Sequence, residues 1–290
     1  MPSWTNGILS RLFDARRTVQ EAPYSAPNRL DVIAICNQKG GCGKTTTAVN
    51  LAAGLAMKGF PTLLVDVDPQ ANASLSFGMD VERLPVTVYD LFSDSYRHAD
   101  NAILQTKIPY LSLVPANSLL SGAQLELASV LNRENVLRQV IRRFASRFRF
   151  VIIDCSPSLN LLTINALVAS DYVLVPLQPH YYALEGMKEL FTTIELIHER
   201  FNSDLSLLGI LPVFVDSRTR VIRDLLEQIR SYFKEQVTTS EIRFSSKIIE
   251  SSIAGQPVIQ YAPYSAVARD YQQLSDEILV RIEQEQLVPR

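Results

Sequence analysis

A glycine-rich turn between an apolar run and a helical pattern is the feature that most constrains this fold. The stretch from Ile33 to Asn50 reads IAICNQKGGCGKTTTAVN, so the turn ends in Lys44 and Thr45. Glycines leave the backbone N–H groups of such a turn open to a phosphate, because no side chain blocks the approach. The following helix would direct its unpaired N–H groups and dipole at the same anion. The stretch therefore predicts a strand, a phosphate-binding loop and a helix.

The loop departs from the ordinary phosphate-loop motif at its start. The spacing GxxxxGK[ST] asks for glycine at position 38, and the chain has Gln38 followed by an additional lysine, Lys39. In the ordinary motif the lysine binds the β- and γ-phosphates and the Ser/Thr hydroxyl binds Mg²⁺. We expect these roles for Lys44 and Thr45. The residues expected to surround a nucleotide here are Lys39, Gly40, Gly41, Cys42, Gly43, Lys44, Thr45 and Thr46.

The rest of the chain predicts an α/β fold. Apolar runs that predict strands cover 32–36, 62–67, 111–114, 150–153, 172–175 and 207–215. Helical patterns cover 45–58, 88–92, 119–131, 134–147, 161–169, 187–197, 222–233 and 267–282. Continuous apolar strands that alternate with helices indicate a mainly parallel, doubly wound sheet with helices on both faces. We assign this domain to residues 31–290.

Residues 1–30 differ from the rest and form a predicted N-terminal extension. They carry four arginines against two acids, and three of the prolines of the chain. Apolar residues at positions 8, 9, 12 and 13 fall on one face of a possible short helix. The extension is therefore either a loose segment or a docking helix for a partner, a sister subunit or a membrane surface.

Composition limits the classes of function. The 290 residues are 47% hydrophobic with a formal net charge of −2, which does not indicate nucleic-acid binding beyond a local patch. No apolar run is long enough for a signal peptide or a transmembrane helix, so we expect no integral membrane segment. Three cysteines without a secretion signal predict reduced thiols in the cytoplasm. The three histidines are scattered and indicate no metal site.

Three acids follow predicted strands, where ligands of parallel sheets bind. Asp154 closes the run FVIID, and such an acid beside a phosphate loop anchors Mg²⁺, often through water, unless it only caps the next helix. Asp68, in LLVDVDPQAN, is placed to orient an attacking water, although Asp-Pro also starts turns. Asp66 is the rival of Asp68 for this role.

Five blocks of the chain resemble, in order, the motifs of the ParA/Soj family. They are KGGCGKTTTAVNLA, LLVDVDPQANAS, VIIDCSPSLNLLTINAL, VPLQPHYYALEG and ILPVFVDSRT, and the resemblance extends from about residue 31 to 282. Members of this family are P-loop NTPases with a deviant Walker A loop that segregate plasmids and chromosomes. The resemblance implies an ATP hydrolase with ATP and Mg²⁺ as cofactors.

The resemblance also implies roles for single residues. Lys39 matches the signature lysine that reaches the phosphates of the other subunit in an ATP-sandwich homodimer. Lys44, Asp68 and Asp154 match the loop lysine, the residue that activates water and the Walker B acid. The stretch 212–216 matches the contacts on the adenine side, with Pro212 and Asp216 as candidates.

In this family the ATP-bound dimer binds DNA without sequence preference, which requires cations that face phosphates. The candidates are Arg218, Arg220, Arg243, Lys247 and Arg269, and Lys247 aligns with a DNA-binding cation of the family. A second cluster comprises Arg138, Arg142, Arg143, Arg147 and Arg149, which is either a further DNA surface or a solvated helix face.

The expected function is therefore a cytoplasmic, nucleoid-associated ATPase switch that segregates or positions chromosome or plasmid DNA. A ParB-like adaptor would be the partner that stimulates hydrolysis. Two alternatives stay open: the same switch positioning a protein cargo such as a chemosensory array or a carboxysome, and a MinD-like membrane-associated ATPase. The C-terminal stretch VRIEQEQLVPR lacks the basic amphipathic helix of a MinD-type anchor.

Overall fold

A single sheet organises the computed structural model, which describes residues 29–93, 99–180, 183–216 and 218–287. Its strands are β1 (Asp31–Ile35), β2 (Thr62–Val67), β3 (Leu104–Gln105), β4 (Leu111–Val114), β5 (Phe150–Cys155), β6 (Tyr172–Leu177), β7 (Ser206–Val215) and β8 (Ile242–Arg243). They lie in the order β3-β4-β2-β5-β1-β6-β7-β8. The β3–β4 pair is antiparallel and the other neighbouring pairs are parallel. The predicted mainly parallel sheet is confirmed.

Helices cover both faces of this sheet. They are α1 (Lys44–Met57), α2 (Asn72–Leu75), α3 (Val88–Ser93), α4 (Leu120–Leu127), α5 (Val136–Arg142), α6 (Leu161–Ala169), α7 (Ala183–Arg200), α8 (Arg220–Phe233), α9 (Ser246–Ile253), α10 (Val258–Tyr261) and α11 (Ala266–Leu287). Val32 and Ala34 of β1 pack into the core that includes α3 to α7, and Ile33 and Ile35 pack into the core that includes α1, α10 and α11. The central strands β1, β2, β5 and β6 are therefore mostly apolar, because both of their faces are buried.

Two predicted helices are shorter than the sequence pattern indicated. The pattern over 119–131 gives α4, which ends at Leu127, and the pattern over 134–147 gives α5, which ends at Arg142. Beyond α5 the backbone N–H of Arg147 bonds the carbonyl of Phe144, three residues back, so the chain tightens into turns before β5. Apolar spacing alone did not show these ends, because Phe144 and Phe148 stay buried after the helix has stopped.

Strand register decides what lies at the functional edge of the sheet. Ile35, the last residue of β1, pairs with Asp154 of β5, and Asp66 of β2 pairs with the same Asp154. The loop after β1 and the acids of β2 and β5 therefore meet at one edge. Of the predicted extension over residues 1–30, residues 1–28 lie outside the described residues. Among the described helices, none is both long and apolar enough to cross a bilayer.

The turn after α8 carries a conformation that suits glycine. Lys234 has a φ of 49° and a ψ of −121°, and its side chain is exposed. A β-carbon clashes with the backbone at positive φ, so Lys234→Gly should stabilise the fold by about 1 kcal/mol. The measurement is the free energy of unfolding in urea. Lys107→Gly is the matched control, because Lys107 is exposed without a positive φ, and this change should destabilise the fold.

Candidate nucleotide site

A cavity of about 460 Å³ opens at the carboxyl edge of the sheet. It lies against the glycine loop, the start of α1 and the segment after β2. Its lining residues are Gly40, Gly41, Gly43, Lys44, Thr45, Thr46, Asp68, Gln70, Asn72, Leu75, Ser76, Pro157, Phe214 and Ser252. The cavity therefore collects most of the loop residues predicted to surround a nucleotide. Lys39 and Cys42 belong to the same loop but do not line the cavity.

Two glycines give the loop its shape. Gly41 and Gly43 have φ angles of 70° and 78°, which a residue with a β-carbon rarely adopts, and Gly43 directly precedes α1. A β-carbon on Gly43 would also meet the Phe214 ring at 3.4 Å. The loop backbone thus borders the cavity where the N-terminus of a 14-residue helix begins, which is the arrangement that binds phosphate.

The two lysines of the loop occupy different environments. Lys44 is 6% exposed, and its Nζ donates to the carbonyl oxygen of Lys39 at 2.9 Å, so it lies inside the loop. Lys39 is exposed, and its Nζ lies 3.5 Å from Oε1 of Gln178. The buried lysine can bind phosphate within its own subunit, whereas the exposed lysine projects from the loop and can reach beyond it.

The cysteine in the loop serves packing. The Cys42 thiol is buried and donates to the carbonyl of Lys39 at 3.1 Å. Burial raises the pKa of Cys42, and the positive charge of Lys44 only partly opposes this shift. The thiol therefore stays protonated at neutral pH. Cys36 and Cys155 are also buried free thiols.

Asp154, the penultimate residue of β5, is a buried carboxylate with 0% exposure. Neither of its oxygens has a hydrogen-bond partner among the described residues. Burial raises the pKa of Asp154, the negative charge of Asp66 adds to the shift, and the neighbouring Thr45 hydroxyl opposes it. Unpaired carboxylate oxygens beside a hydroxyl fit Mg²⁺, which prefers oxygen ligands and keeps several waters. Thr45 and Asp154 are thus the residues that would hold the metal, whose charge would offset that of phosphates.

The structure separates the two acids that competed for the role beside the γ-phosphate. Asp68 lines the cavity with 6% exposure, and its Oδ1 accepts from the backbone N–H of Gln70 at 2.9 Å. Asp66 is 0% exposed and does not line the cavity. Burial raises the pKa of Asp66 to about 6. Of the two, Asp68 has the position from which a side chain can reach a bound water.

The predicted adenine contacts lie near the cavity without lining it. Pro212 is buried in β7 and pairs with Leu177, and Asp216 follows the strand and bonds Arg218. Both stay predictions. The wall on this side is Phe214, which has a φ of 56° where the register of β7 against β8 shifts. Such bulges redirect a side chain next to functional sites.

Several lining residues were missed from the sequence. Gln70 and Asn72 lie in the DPQAN segment, so the motif itself carried a signal for them. Phe214 carried none, because an aromatic residue in an apolar run predicts only burial. Ser252 lies on α9, which the sequence pattern did not predict, so its approach to the cavity depends on tertiary packing.

Most of the predicted DNA-binding cations face acids. Arg218 bonds Asp216 with Nε to Oδ1 at 2.8 Å, and Arg220 lies 3.8 Å from Asp224. Lys247 contacts Glu250 at 2.6 Å. Arg243 makes two bonds, of 2.7 and 2.8 Å, to the buried Asp270. Arg269 is exposed and has no ion pair among the described residues.

The second arginine cluster is divided by its contacts. Arg147 pairs with Asp100, Arg149 pairs with the buried Asp31, and Arg138 donates to a backbone carbonyl of residue 201. Arg142 is exposed without an ion pair in the described part of the chain. The cluster therefore presents much less free charge than the sequence indicated, which favours a solvated helix face.

A parallel sheet with a glycine loop after its central strand and carboxylates on neighbouring strands defines a P-loop nucleotide-binding protein. A family model described as an AAA domain matches residues 30–207. The chain is 43% identical to the chromosome partitioning protein ParA of Myxococcus xanthus over 86% of this chain and 88% of that protein. It is 41% identical to the sporulation initiation inhibitor protein Soj of Bacillus subtilis over 85% of this chain and 97% of that protein.

A solved structure has the same fold. It is named cobyrinic acid a,c-diamide synthase from Mycobacterium smegmatis, with bound ADP and magnesium, and superposes with a TM-score of 0.76 at 34% identity. The match covers 90% of this chain and 98% of the solved one. Together the loop, the sheet and the relatives show that the chain belongs to the ParA/Soj family of chromosome-partitioning ATPases.

Replacing Lys44 tests the loop. Lys44→Ala should weaken nucleotide binding about 100-fold, because losing a charge-assisted bond in a shielded site costs about 3 kcal/mol. Titration of a fluorescent ADP analogue with Mg²⁺ measures the affinity. Lys58→Ala is the control, since Lys58 follows α1, contacts Asp276 and lies outside the cavity. Equal affinities for both variants would contradict the assignment.

Proposed function

We propose that this protein is an ATP-driven switch that segregates or positions DNA. ATP and Mg²⁺ close a homodimer, the dimer binds DNA without sequence preference, and hydrolysis opens and releases it. A ParB-like adaptor stimulates the hydrolysis. The switch therefore alternates between a nucleoid-bound and a free cytoplasmic form. The name of one relative, the chromosome partitioning protein ParA of Myxococcus xanthus, supports this cargo.

The observation that carries the proposal is the contrast between the two loop lysines. Lys44 is buried against the loop, so one cation already serves the phosphates of its own site. Lys39 is exposed beside an open cavity and makes one long contact, to Gln178. A second cation on the outer side of a phosphate loop is explained if the phosphates that it binds belong to another subunit. Dimerisation then depends on bound ATP, because the phosphates of one subunit supply the contact for Lys39 of the other.

Within each site the residues have separate tasks. Lys44 and the loop N–H groups bind phosphate, Thr45 and Asp154 hold Mg²⁺, and Asp68 orients the attacking water. Pro212 and Asp216 lie on the side where we place adenine, together with Phe214. The bound ADP and magnesium in the solved relative support this division, since its fold is the same.

The DNA surface in this proposal combines Arg218 before α8 with α8, β8, α9 and the start of α11. The contacts of Arg218, Arg220 and Lys247 are solvent-exposed ion pairs, which add little stability, so DNA phosphates can replace the carboxylates. Arg269 is already exposed without an ion pair in the described chain. Arg243 is held by the buried Asp270, so we expect its contribution to be the smallest.

Replacing Lys39 tests the dimer. With a non-hydrolysable ATP analogue and Mg²⁺, the wild type should elute as a dimer and Lys39→Ala as a monomer in size-exclusion chromatography with light scattering. Nucleotide affinity should change by less than about fivefold, because an exposed charge contributes little to its own site. Lys188→Ala, which removes an exposed lysine of α7, is the control and should dimerise. A dimer of Lys39→Ala would contradict the role in trans.

DNA retention tests the cargo. Binding to a random-sequence duplex should require ATP, be absent with ADP, and weaken steeply with salt. Lys247→Glu should lower affinity and reduce the salt slope by about 1. Arg142→Glu makes the same charge change in the second cluster and should have little effect. A larger loss of DNA affinity in Arg142→Glu than in Lys247→Glu would instead place the DNA-binding surface on α5.

Absence of DNA binding in a protein that still dimerises with ATP would favour the alternatives. If the cargo is a protein assembly, we expect no binding of the chain to lipid vesicles. Vesicle binding that needs residues 1–30 would instead favour the membrane-associated, MinD-like alternative. Residues 8–19, through which such recruitment would occur, lie outside the described residues.

A further inference from the structure

Asp66 is a buried carboxylate whose two oxygens both accept hydrogen bonds from the segment after β2. Oδ1 accepts from the backbone N–H of Asp68 at 3.2 Å. Oδ2 accepts from the backbone N–H of Ser74 at 2.9 Å and from its hydroxyl at 2.7 Å. One side chain therefore joins the start of this segment to α2, and the backbone of Asp68 is itself the first of the two attachment points.

Ser74 extends this connection to the neighbouring strand. Its Oγ donates to Asp66 and accepts from the backbone N–H of Ala116 at 3.0 Å, just beyond the end of β4. Ser74 is 0% exposed and does not line the cavity. The segment from 66 to 74 is thus fixed at its start by β2 and at its end by Ala116 beyond β4, and the Asp66 carboxylate links residues 68 and 74.

The backbone between these points is tightly bent. Ala71 has a φ of 54° and its N–H bonds the carbonyl of Asp68 at 2.8 Å, while the N–H of Gln70 bonds the Asp68 side chain. A residue with a β-carbon rarely takes a positive φ, so this bend persists only where the surroundings impose it. Asp68, at the start of this bend, lines the cavity. The hydrogen bonds between Asp66 and Ser74 hold the two ends of the bend.

We infer that Asp66 and Ser74 are positioning residues that hold Asp68 in the orientation required for hydrolysis. The inference rests on the proposed role of Asp68 towards the attacking water. Neither residue lines the cavity, so both act through Asp68 and not on the nucleotide. Because small misplacements of a catalytic group lower turnover strongly, loss of the connection should slow hydrolysis without weakening nucleotide binding.

A role in stability alone does not explain this arrangement well. A buried carboxylate is unfavourable unless it is fully hydrogen-bonded, and Asp66 also lies beside the carboxylates of Asp154 and Asp68. Apolar packing at the end of β2 would stabilise the sheet without this repulsion. The Asp66 carboxylate instead supplies two acceptor oxygens, one bonded to residue 68 and the other to residue 74.

The first experiment compares turnover with nucleotide affinity in the full-length chain. With Mg²⁺-ATP, Ser74→Ala should lower kcat about tenfold or more, while affinity for a fluorescent ADP analogue changes less than about twofold. Ser74→Thr keeps the hydroxyl and should retain most of the turnover. Ser170→Ala is the matched control, because Ser170 is equally buried and its hydroxyl bonds only a helix carbonyl of residue 166; its kcat should not change.

The second experiment asks whether Asp66 acts through Asp68. Asp66→Asn should lower kcat in the wild type, since an amide accepts through one oxygen only. In the Asp68→Ala background the same change should lower kcat no further, because the residue that it positions is gone. Ser74→Ala at wild-type kcat, or a further loss from Asp66→Asn in that background, would overturn the inference.

These outcomes separate the inference from the function on which it rests. Wild-type turnover of Asp68→Ala would contradict the proposed role of Asp68 itself. Slow turnover of Asp68→Ala together with an equal loss of kcat and ADP affinity in Ser74→Ala would leave that role intact. It would overturn the positioning role alone, because a general loss of structure affects binding and turnover together.

Discussion

The parallel register of three central strands is the constraint on which the site depends. Asp154 of β5 lies between the end of β1 and Asp66 of β2, and the loop begins immediately after β1. Parallel strands end at the same edge, so the glycine loop, the helix dipole of α1 and the acids meet without any long connection. A shift of one residue in either pairing would turn each strand's side chains to the opposite face and separate the acids from the loop.

This edge concentrates negative charge in a buried setting. Asp66, Asp68 and Asp154 are all buried close to one another, and burial, with a smaller contribution from mutual repulsion, raises the pKa of Asp66 and of Asp154. Asp66 is stabilised by hydrogen bonds, whereas the oxygens of Asp154 have none among the described residues. Such a site needs cations: Lys44 supplies one, and a divalent metal would supply more. The acid that is hydrogen-bonded suits a structural task, and the unpaired acid suits a metal.

Outside the nucleotide site, most of the exposed cations that we assign to DNA binding are paired with acids. The chain has a net charge of −2, and most cations of α8, β8 and α9 contact an acid. A surface of exposed pairs binds a polyanion only by exchanging partners, which makes binding weak for one subunit and sensitive to salt. Two copies of the same surface in a dimer bind more strongly through effective concentration. In the proposed switch, charge pairing would thus help to make DNA binding depend on dimerisation.

The sequence by itself determined the strand–loop–helix order, the mainly parallel sheet, and Lys44, Asp68 and Asp154 as site candidates. These follow from periodicity and from glycine or acid residues directly after apolar runs, which are local properties of the chain. Only the tertiary structure decided which of Asp66 and Asp68 lines the cavity, the placement of Phe214 and Ser252 at the cavity, and the pairing of the arginines. Each of these depends on residues distant in the chain, such as Ala116 beside Ser74 and Asp270 beside Arg243. Burial and ion pairing arise from such contacts, and no local pattern encodes them.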